Sequence, residues 1–296
     1  MSEKEKGTNN SRFREIISVL RKHNITRGLS PKKLRLIMED LGPTFVKIGQ
    51  IMALHSDILP KAYCDELMEL CTDARPMPFE EAVSVIDESY GRSWKKVFSS
   101  IEETPIGSAS IAQVHRAVLK SGEEVVVKIQ RKGIYEMMAR DIEFIRKAIK
   151  LMPPISLKGM ADFNLVLDEL WSVTRDEMNF LTEASNIEEF ARRNKDVNFV
   201  QTPVLYQQYT TVHVLVMEYI DGIPIDDKET LLAGGYDLDE IGSKFVDNFI
   251  KQVMDDGFFH ADPHPGNVMI QDGKIVWIDM GMMGRLNDRD RELIGE

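Results

Sequence analysis

The sequence predicts an α+β fold of two lobes behind a helical N-terminal extension. Three observations carry that prediction. From Ser11 to about Ser89 apolar residues recur at spacings of three and four, as in Leu34, Ile37, Met38 and Leu41, which is helical periodicity. Two strand-like runs, 112–119 and 124–130, then flank a Ser121-Gly122 turn. After a second helical region, two short apolar segments, 268–270 and 275–278, flank Asp272-Gly273.

The elements follow in order. Residues 1–10 are polar and are predicted to lack structure. Pro31 suits a first helical turn, while Pro60 and Arg75-Pro76-Met77-Pro78 punctuate the helical run. Gly91 opens the strand-rich lobe, so the extension is predicted over 1–90 and this lobe over 91–220. Inside it, helical patterns run at about 134–151 and 162–192, separated by Pro153-Pro154, and 211–219 reads as a strand. Asp221-Gly222-Ile223-Pro224 breaks the chain and starts the last lobe, 221–296, in which 238–256 reads as one amphipathic helix. No internal repeat or low-complexity tract is visible.

Composition narrows the function classes. A net charge of −11 excludes general nucleic-acid binding, because a phosphate backbone would be repelled. Between Ser11 and Leu36, however, Arg12, Arg14, Arg21, Lys22, Arg27, Lys32, Lys33 and Arg35 face the single acid Glu15, interleaved with leucines and isoleucines. Such a segment either rests on an anionic membrane surface or packs as a helical extension on its own domain. Cys64 and Cys71, seven residues apart on a predicted helix, are separated by roughly 10 Å along its axis, too far for a disulfide. No run reaches the roughly 18 apolar residues of a membrane span, and the N-terminus lacks a signal-peptide core. The expected setting is cytoplasmic with peripheral membrane contact.

The chemistry-bearing residues lie in four places. In His260-Ala-Asp262-Pro-His-Pro-Gly-Asn267, Asp262 and Asn267 have the spacing of the kinase catalytic loop H-x-D-x-x-x-x-N. There the Asp orients or deprotonates an acceptor, and the Asn holds magnesium beside the phosphates. Gly266 is expected to permit an unusual backbone angle before that ligand. Seventeen residues after Asp262, Trp277-Ile278-Asp279-Met280-Gly281 has the form of the kinase D-F-G, with Asp279 as a second metal ligand. Lys128 stands in an apolar strand, where an ammonium is costly without a carboxylate. Read as the phosphate-contacting lysine, it needs an acid on the following helix, Glu183 or alternatively Asp176. Upstream, Gly107, Ala109, Ala112 and Val114 occupy the key positions of the phosphate loop G-x-G-x-x-G-x-V, with alanines at two glycine positions. Gly107, Ser108, Ala109, Ser110, Ala112 and Val114 are candidate nucleotide contacts, as are Glu218 and Tyr219 just before the Asp221 break.

These motifs, together with Lys47-Ile48-Gly49-Gln50, resemble those of the UbiB family, also called ABC1, AarF or ADCK, of atypical kinase-like proteins. The resemblance runs from about Leu41 to the end of the chain. It implies a protein-kinase-like bilobal fold, binding of ATP or ADP with Mg²⁺, and support of ubiquinone or other isoprenoid-lipid biology. ATPase activity or small-molecule phosphotransfer is implied more than protein phosphorylation. It further implies that the helix bearing Lys47 and Gln50 folds over the active site as a regulatory element, with lipid-biosynthesis proteins and a membrane surface as partners. Two departures stand out. The family's E-x-D before the helix Glu reads Glu177-Met178-Asn179 here, which leaves the regulatory Glu177 without its usual acidic companion. The chain also stops at Glu296, where a kinase-like C-lobe needs further helices, so the C-lobe is expected to be truncated.

Three activities fit these residues. The first is a Mg²⁺-dependent atypical kinase or ATPase of the transferase class. The second is a nucleotide-gated pseudokinase scaffold without turnover, suggested by Ala109 and the Lys47 helix. The third, a small-molecule kinase of the aminoglycoside or choline type, shares the Asp–Asn–Asp logic but not the Lys47–Gln50 motif or the alanine loop.

Overall fold

In a computed structural model the protein is described over residues 3–53, 59–70, 75–150 and 163–295; Cys71 and the Pro153-Pro154 break lie outside them. Helices α1 (Glu3–Lys22), α2 (Pro31–Leu41), α3 (Pro43–Ala53), α4 (Lys61–Leu67) and α5 (Phe79–Tyr90) come first. Strands β1 (Phe98–Ile101), β2 (Gly107–Ser108), β3 (Ala112–Leu119) and β4 (Glu124–Gln130) follow, then α6 (Ile134–Lys150), α7 (Phe163–Glu177) and α8 (Phe180–Arg193). Next are β5 (Val200–Gln201), β6 (Val214–Glu218), β7 (Ile223–Pro224), α9 (Lys228–Ala233) and α10 (Leu238–Ile250). The chain closes with β8 (Phe258–His260), β9 (Val268–Gln271), β10 (Lys274–Trp277), β11 (Met283–Arg285) and α11 (Asp288–Gly295).

Two compact units divide the chain. One is Met1–Pro78, Gly107–Gln113 and Gln130–Asp176; the other is Phe79–Ile106, Val114–Ile129 and Glu177–Glu296. The loop 107–113 and the stretch 130–176 therefore group with the N-terminal helices.

The first unit is mainly helical. Ser30 caps α2, its Oγ accepting from the Lys33 N–H at 3.3 Å, with Pro31 in the first turn. Met38, Ile48, Leu67, Leu70, Ile142 and Leu167 meet in one core, drawing α2, α3, α4, α6 and α7 together. Ile16, Ile37 and Leu41 form a second, which seats α1. That helix starts at Glu3, inside the stretch expected to be unstructured; Glu3-Lys4-Glu5-Lys6 are good helix formers and extend the helix anchored by Ile16. Four cations of the basic segment, Arg12, Lys22, Lys33 and Arg35, are engaged inside the unit. Arg12 pairs with Asp141 at 2.7 Å, Lys22 with Asp40 at 2.7 Å, and Arg35 with Glu39 and Glu66 at 2.7 and 2.8 Å. Lys33 Nζ donates to the Gly28 carbonyl at 2.8 Å. No described helix is long and apolar enough to cross a membrane.

In the second unit a sheet runs in the order β1-β3-β4-β6. The β4–β6 register is antiparallel and sets Lys128 opposite Leu215. A second sheet, β5-β10-β9-β7, holds the predicted hairpin. Its Asp272 and Gly273 both take positive φ, 51° and 75°, the conformation a two-residue I′ turn demands. Strands β8 and β11 pair separately.

Two long helical predictions need correction. The 162–192 pattern is broken at Met178-Asn179, where Asn179 caps α8 by accepting from the Leu181 N–H at 3.2 Å. Asn competes for backbone donors and so favours a cap over a helix interior. The 238–256 pattern ends as an α-helix at Ile250 and continues as a π-helical turn, Lys251–Asp256, before Gly257 at φ 58°.

Candidate functional site

Most of the sequence-predicted site residues fall in the second unit. Lys128 sits among buried valines and isoleucine on β4 with its side chain 17% exposed. Its Nζ lies 2.9 and 2.8 Å from the two Glu183 carboxylate oxygens and 3.0 Å from Asp279 Oδ2. Glu183 is thus the helix acid that Lys128 meets; the alternative, Asp176, lies on α7, before the break at Asn179. Asp279 Oδ1 accepts from the Gly281 N–H at 2.8 Å. A Cβ at Gly281 would lie 3.0 Å from that oxygen, so the glycine leaves room for the carboxylate to turn back onto its own backbone.

The charges of these three groups are coupled. Burial disfavours the Lys128 ammonium, but Asp279 and Glu183 outweigh it and hold its pKa above the ordinary lysine value. Burial pushes the Glu183 carboxyl up to about 7 against the pull of Lys128. Burial also acts to raise Asp279, yet Lys128 and the Gly281 N–H hold it below the usual carboxylate range. At neutral pH the cluster therefore holds one ammonium and an ionised Asp279.

The catalytic-loop motif is held from beneath by His260, which is buried. The Asp262 N–H reaches His260 Nδ1 at 3.2 Å, and His260 Nε2 lies 2.6 Å from the Asp279 carbonyl. Accepting at Nδ1 assigns the ring proton to Nε2, so one imidazole bridges the backbones of both motifs. The ring stacks on Trp277 at 4.9 Å. Asn267 Nδ2 donates to the Asp262 carbonyl at 3.0 Å, which directs its amide, while the Asp262 side chain is exposed. Gly266 does not take the positive φ expected of it. Its N–H donates to His264 Nδ1 at 3.0 Å in a 3-10 turn, an arrangement in which a Cβ would crowd His264 at 3.2 Å.

At the end of β6 the Glu218 carboxylate accepts from the Val204 N–H at 3.0 Å. The Tyr219 N–H donates to the Glu124 carbonyl at 3.1 Å, and Arg116 lies 4.2 Å over its ring. Val114 is half-buried on β3, and Glu177 closes α7. The remaining candidates belong to the helical unit. There the Ala109 N–H donates to the Ala112 carbonyl at 2.8 Å, and Gly107, Ser108, Ala109, Ser110 and Ala112 all keep ordinary negative φ. Lys47 and Gln50 are half-buried on α3.

Sequence reading missed a buried amide network behind the site. Asn248 Oδ1 accepts from Trp277 Nε1 at 3.0 Å and from Gln252 Nε2 at 2.8 Å, and its Nδ2 donates to Asn194 Oδ1 at 2.8 Å. Gln252 Oε1 takes the His260 N–H at 3.0 Å. Asn186, one turn from Glu183, donates to the Met280 carbonyl at 3.0 Å. The available signal was two amides, Asn248 and Gln252, four apart on a helical pattern.

Asp279 and Asn267 are hard oxygen donors, and Asp279 is ionised. Among the described residues no group of three or more His, Cys, Asp or Glu is placed to hold a metal. Magnesium commonly takes one or two protein carboxylates and completes its shell with phosphates and water. The donor set therefore fits Mg²⁺ arriving with a nucleotide.

A lysine on a sheet strand paired to a helix Glu, beside Asp–Asn and Asp-x-Gly motifs tied through one histidine, defines a kinase-like protein. The chain belongs to the ABC1 atypical kinase-like family, whose domain matches residues 69–296. An uncharacterised protein of the hydrogenase 1 5′ region of Clostridium pasteurianum is 44% identical over 87% of this chain and 49% of its own length. ACTIVITY OF BC1 COMPLEX KINASE 8, chloroplastic, of Arabidopsis thaliana is 39% identical over 93% of this chain and 36% of its own. The probable protein kinase UbiB of Pseudomonas paraeruginosa is 36% identical over 93% and 52%. The chain thus spans between about a third and a half of these relatives' lengths. Among solved structures, the Rv3197–erythromycin complex from Mycobacterium tuberculosis aligns with 84% of this chain and 63% of that one at a TM-score of 0.57 and 28% identity.

Proposed function

We propose that this chain binds ATP or ADP with Mg²⁺ beside Lys128 and carries out ATP hydrolysis or phosphoryl transfer to a small molecule, in support of ubiquinone or isoprenoid-lipid metabolism. The observation that carries this reading is the Lys128–Glu183–Asp279 cluster: a buried ammonium fixed by one deep carboxylate and shared with a second, more exposed one. A purely structural ion pair needs one acid; the second, 39% exposed, is a group that ligand and metal can reach.

Each residue then has a task. Lys128, anchored by Glu183, positions phosphate oxygens. Asp262, exposed and fixed through its backbone to His260, orients water or an acceptor hydroxyl. Asn267 and Asp279 hold the cation, which supplies neutralisation of phosphate charge. Asp279, whose Oδ2 accepts from Lys128, would share its carboxylate between that ammonium and the cation. Peripheral contact with a membrane and with lipid-biosynthesis proteins belongs to the same proposal and rests on the family resemblance.

A thermal-shift series with ATP, ADP or no nucleotide, with and without Mg²⁺, tests it. A ligand at 100 times its Kd adds about 2.7 kcal/mol of stability, a rise in Tm of several degrees. No rise with either nucleotide would contradict the reading. The scaffold alternative is favoured by Ala109 and Ala112 at glycine positions of the loop. Single-turnover phosphate release separates the two, because a scaffold yields no more than an Asp262→Asn control.

A further inference from the structure

Arg131 follows β4 directly, three residues after Lys128. Within the helical unit its Nε donates to the Ala109 carbonyl at 2.8 Å, and its Nη2 to Ser108 Oγ at 2.8 Å and the Arg75 carbonyl at 2.9 Å. Its backbone N–H donates to the Ile111 carbonyl at 2.8 Å. One residue is thereby fastened to the alanine-rich loop at three points. Gln113, buried at the loop's other end, accepts from the Met77 N–H at 2.9 Å and so ties the loop to the segment that carries Arg75.

Every acceptor on Arg131 is neutral. Arg12, Arg35, Arg193 and Arg285 all meet carboxylates, whereas among the described residues none pairs with Arg131. Burial holds its pKa below the ordinary arginine value. A half-buried cation of this kind is costly until a counter-charge arrives. Of the five guanidinium donors three are spent, and the two on Nη1 have no partner among the described residues. A rigid pair of charged donors fastened against a loop of phosphate-loop spacing suits an anionic phosphate.

We propose that Arg131 is a phosphate-binding residue that acts with the alanine-rich loop it is fastened to. Nη1 takes oxygens of a phosphate group, while Nε and Nη2 hold Ala109 and Ser108 in the shape that receives it. Where Ala109 and Ala112 keep backbone amides from approaching as closely as glycines would, a side-chain cation takes over the task. The proposal rests on the nucleotide function above and goes beyond it in assigning a charge contact.

Calorimetric titration of the whole chain with ATP, ADP and adenosine, in magnesium buffer, tests it in wild type, Arg131→Gln and Arg131→Lys. In Arg131→Gln, ATP and ADP affinity should fall about tenfold to hundredfold, with adenosine changed by no more than about twofold. Arg131→Lys keeps the charge but not the fork and should lose less, again for the phosphorylated ligands alone. An equal loss for adenosine would make Arg131 a structural prop and overturn the proposal, as would no loss at all. If Arg131→Gln does not fold by circular dichroism, the ATP-to-adenosine comparison in Arg131→Lys decides in the same way. Wild-type protein that binds none of the three ligands would instead bring down the nucleotide function, and this proposal with it.

Discussion

Glu183 and Glu189 lie on the same helix and are tuned in opposite directions. Glu183 is deep, and burial pushes its carboxyl up to about 7 against the pull of Lys128, whose ammonium donates to both of its oxygens. Glu183→Gln preserves the shape but leaves Lys128 to Asp279, the group proposed to hold metal. We expect about a tenfold loss of ATP affinity, read by nucleotide titration, with the fold intact. Glu189 is held down to about 2, first by Arg285 and then, against burial, by Arg193. A depressed carboxylate contributes stability that is present above its unfolded value near 4.5 and lost as pH falls toward about 2. The melting temperature of wild type should therefore drop through that window, and Glu189→Gln should flatten the drop. Parallel curves for the two proteins would count against the ion pair. The same residue latches β11 to α8, since Arg285 and Arg193 reach its two oxygens at 2.6 Å each.

Elements were legible where a local pattern repeats often enough to be read. The strands 112–119 and 124–130 and the I′ turn at Asp272-Gly273 stand where alternation and turn chemistry put them. Strands β1, β5, β7, β8 and β11 were not read, because two to four residues carry no period and their partners lie far along the chain. The break before α8 was hidden because apolar spacing continues across Asn179; only its capping chemistry marks it. Gly49 of the Lys47–Gln50 motif shows packing at this scale. A Cβ there would stand 2.4 Å from Leu70 Cδ1 and 2.5 Å from Met38 Sδ, where α3 meets its neighbours. Gly49→Ala should cost about 1–3 kcal/mol in chemical unfolding, and no change would show that Leu70 and Met38 repack freely. Asn248 joins α8, α10 and β10 through amides. Asn248→Leu orphans three buried groups and should cost about 3 kcal/mol or more, several degrees of Tm, whereas a near-neutral result would mean the network is not cooperative.

For the molecule as a whole, motif order was the most legible feature. Lys128 is far in sequence from Asp262, Asn267 and Asp279, yet spacing rules for kinases named all four, and Lys128 and Asp279 meet at 3.0 Å. What spacing does not carry is the support beneath: His260 bonding both motifs, and the amides behind it. Those contacts depend on how distant elements pack. Charge was legible only as a total. The basic run at 12–35 left open a membrane-facing segment or an extension packed on its own domain, and Arg12, Lys22 and Arg35 are matched by Asp141, Asp40 and Glu66, from other elements of the same unit. The most direct measurement is the Mg²⁺ dependence of ATP affinity, in wild type and in Asp279→Asn. The account predicts that Mg²⁺ tightens ATP binding to wild type and that Asp279→Asn abolishes this tightening. An unchanged ratio of affinities with and without Mg²⁺ would contradict it.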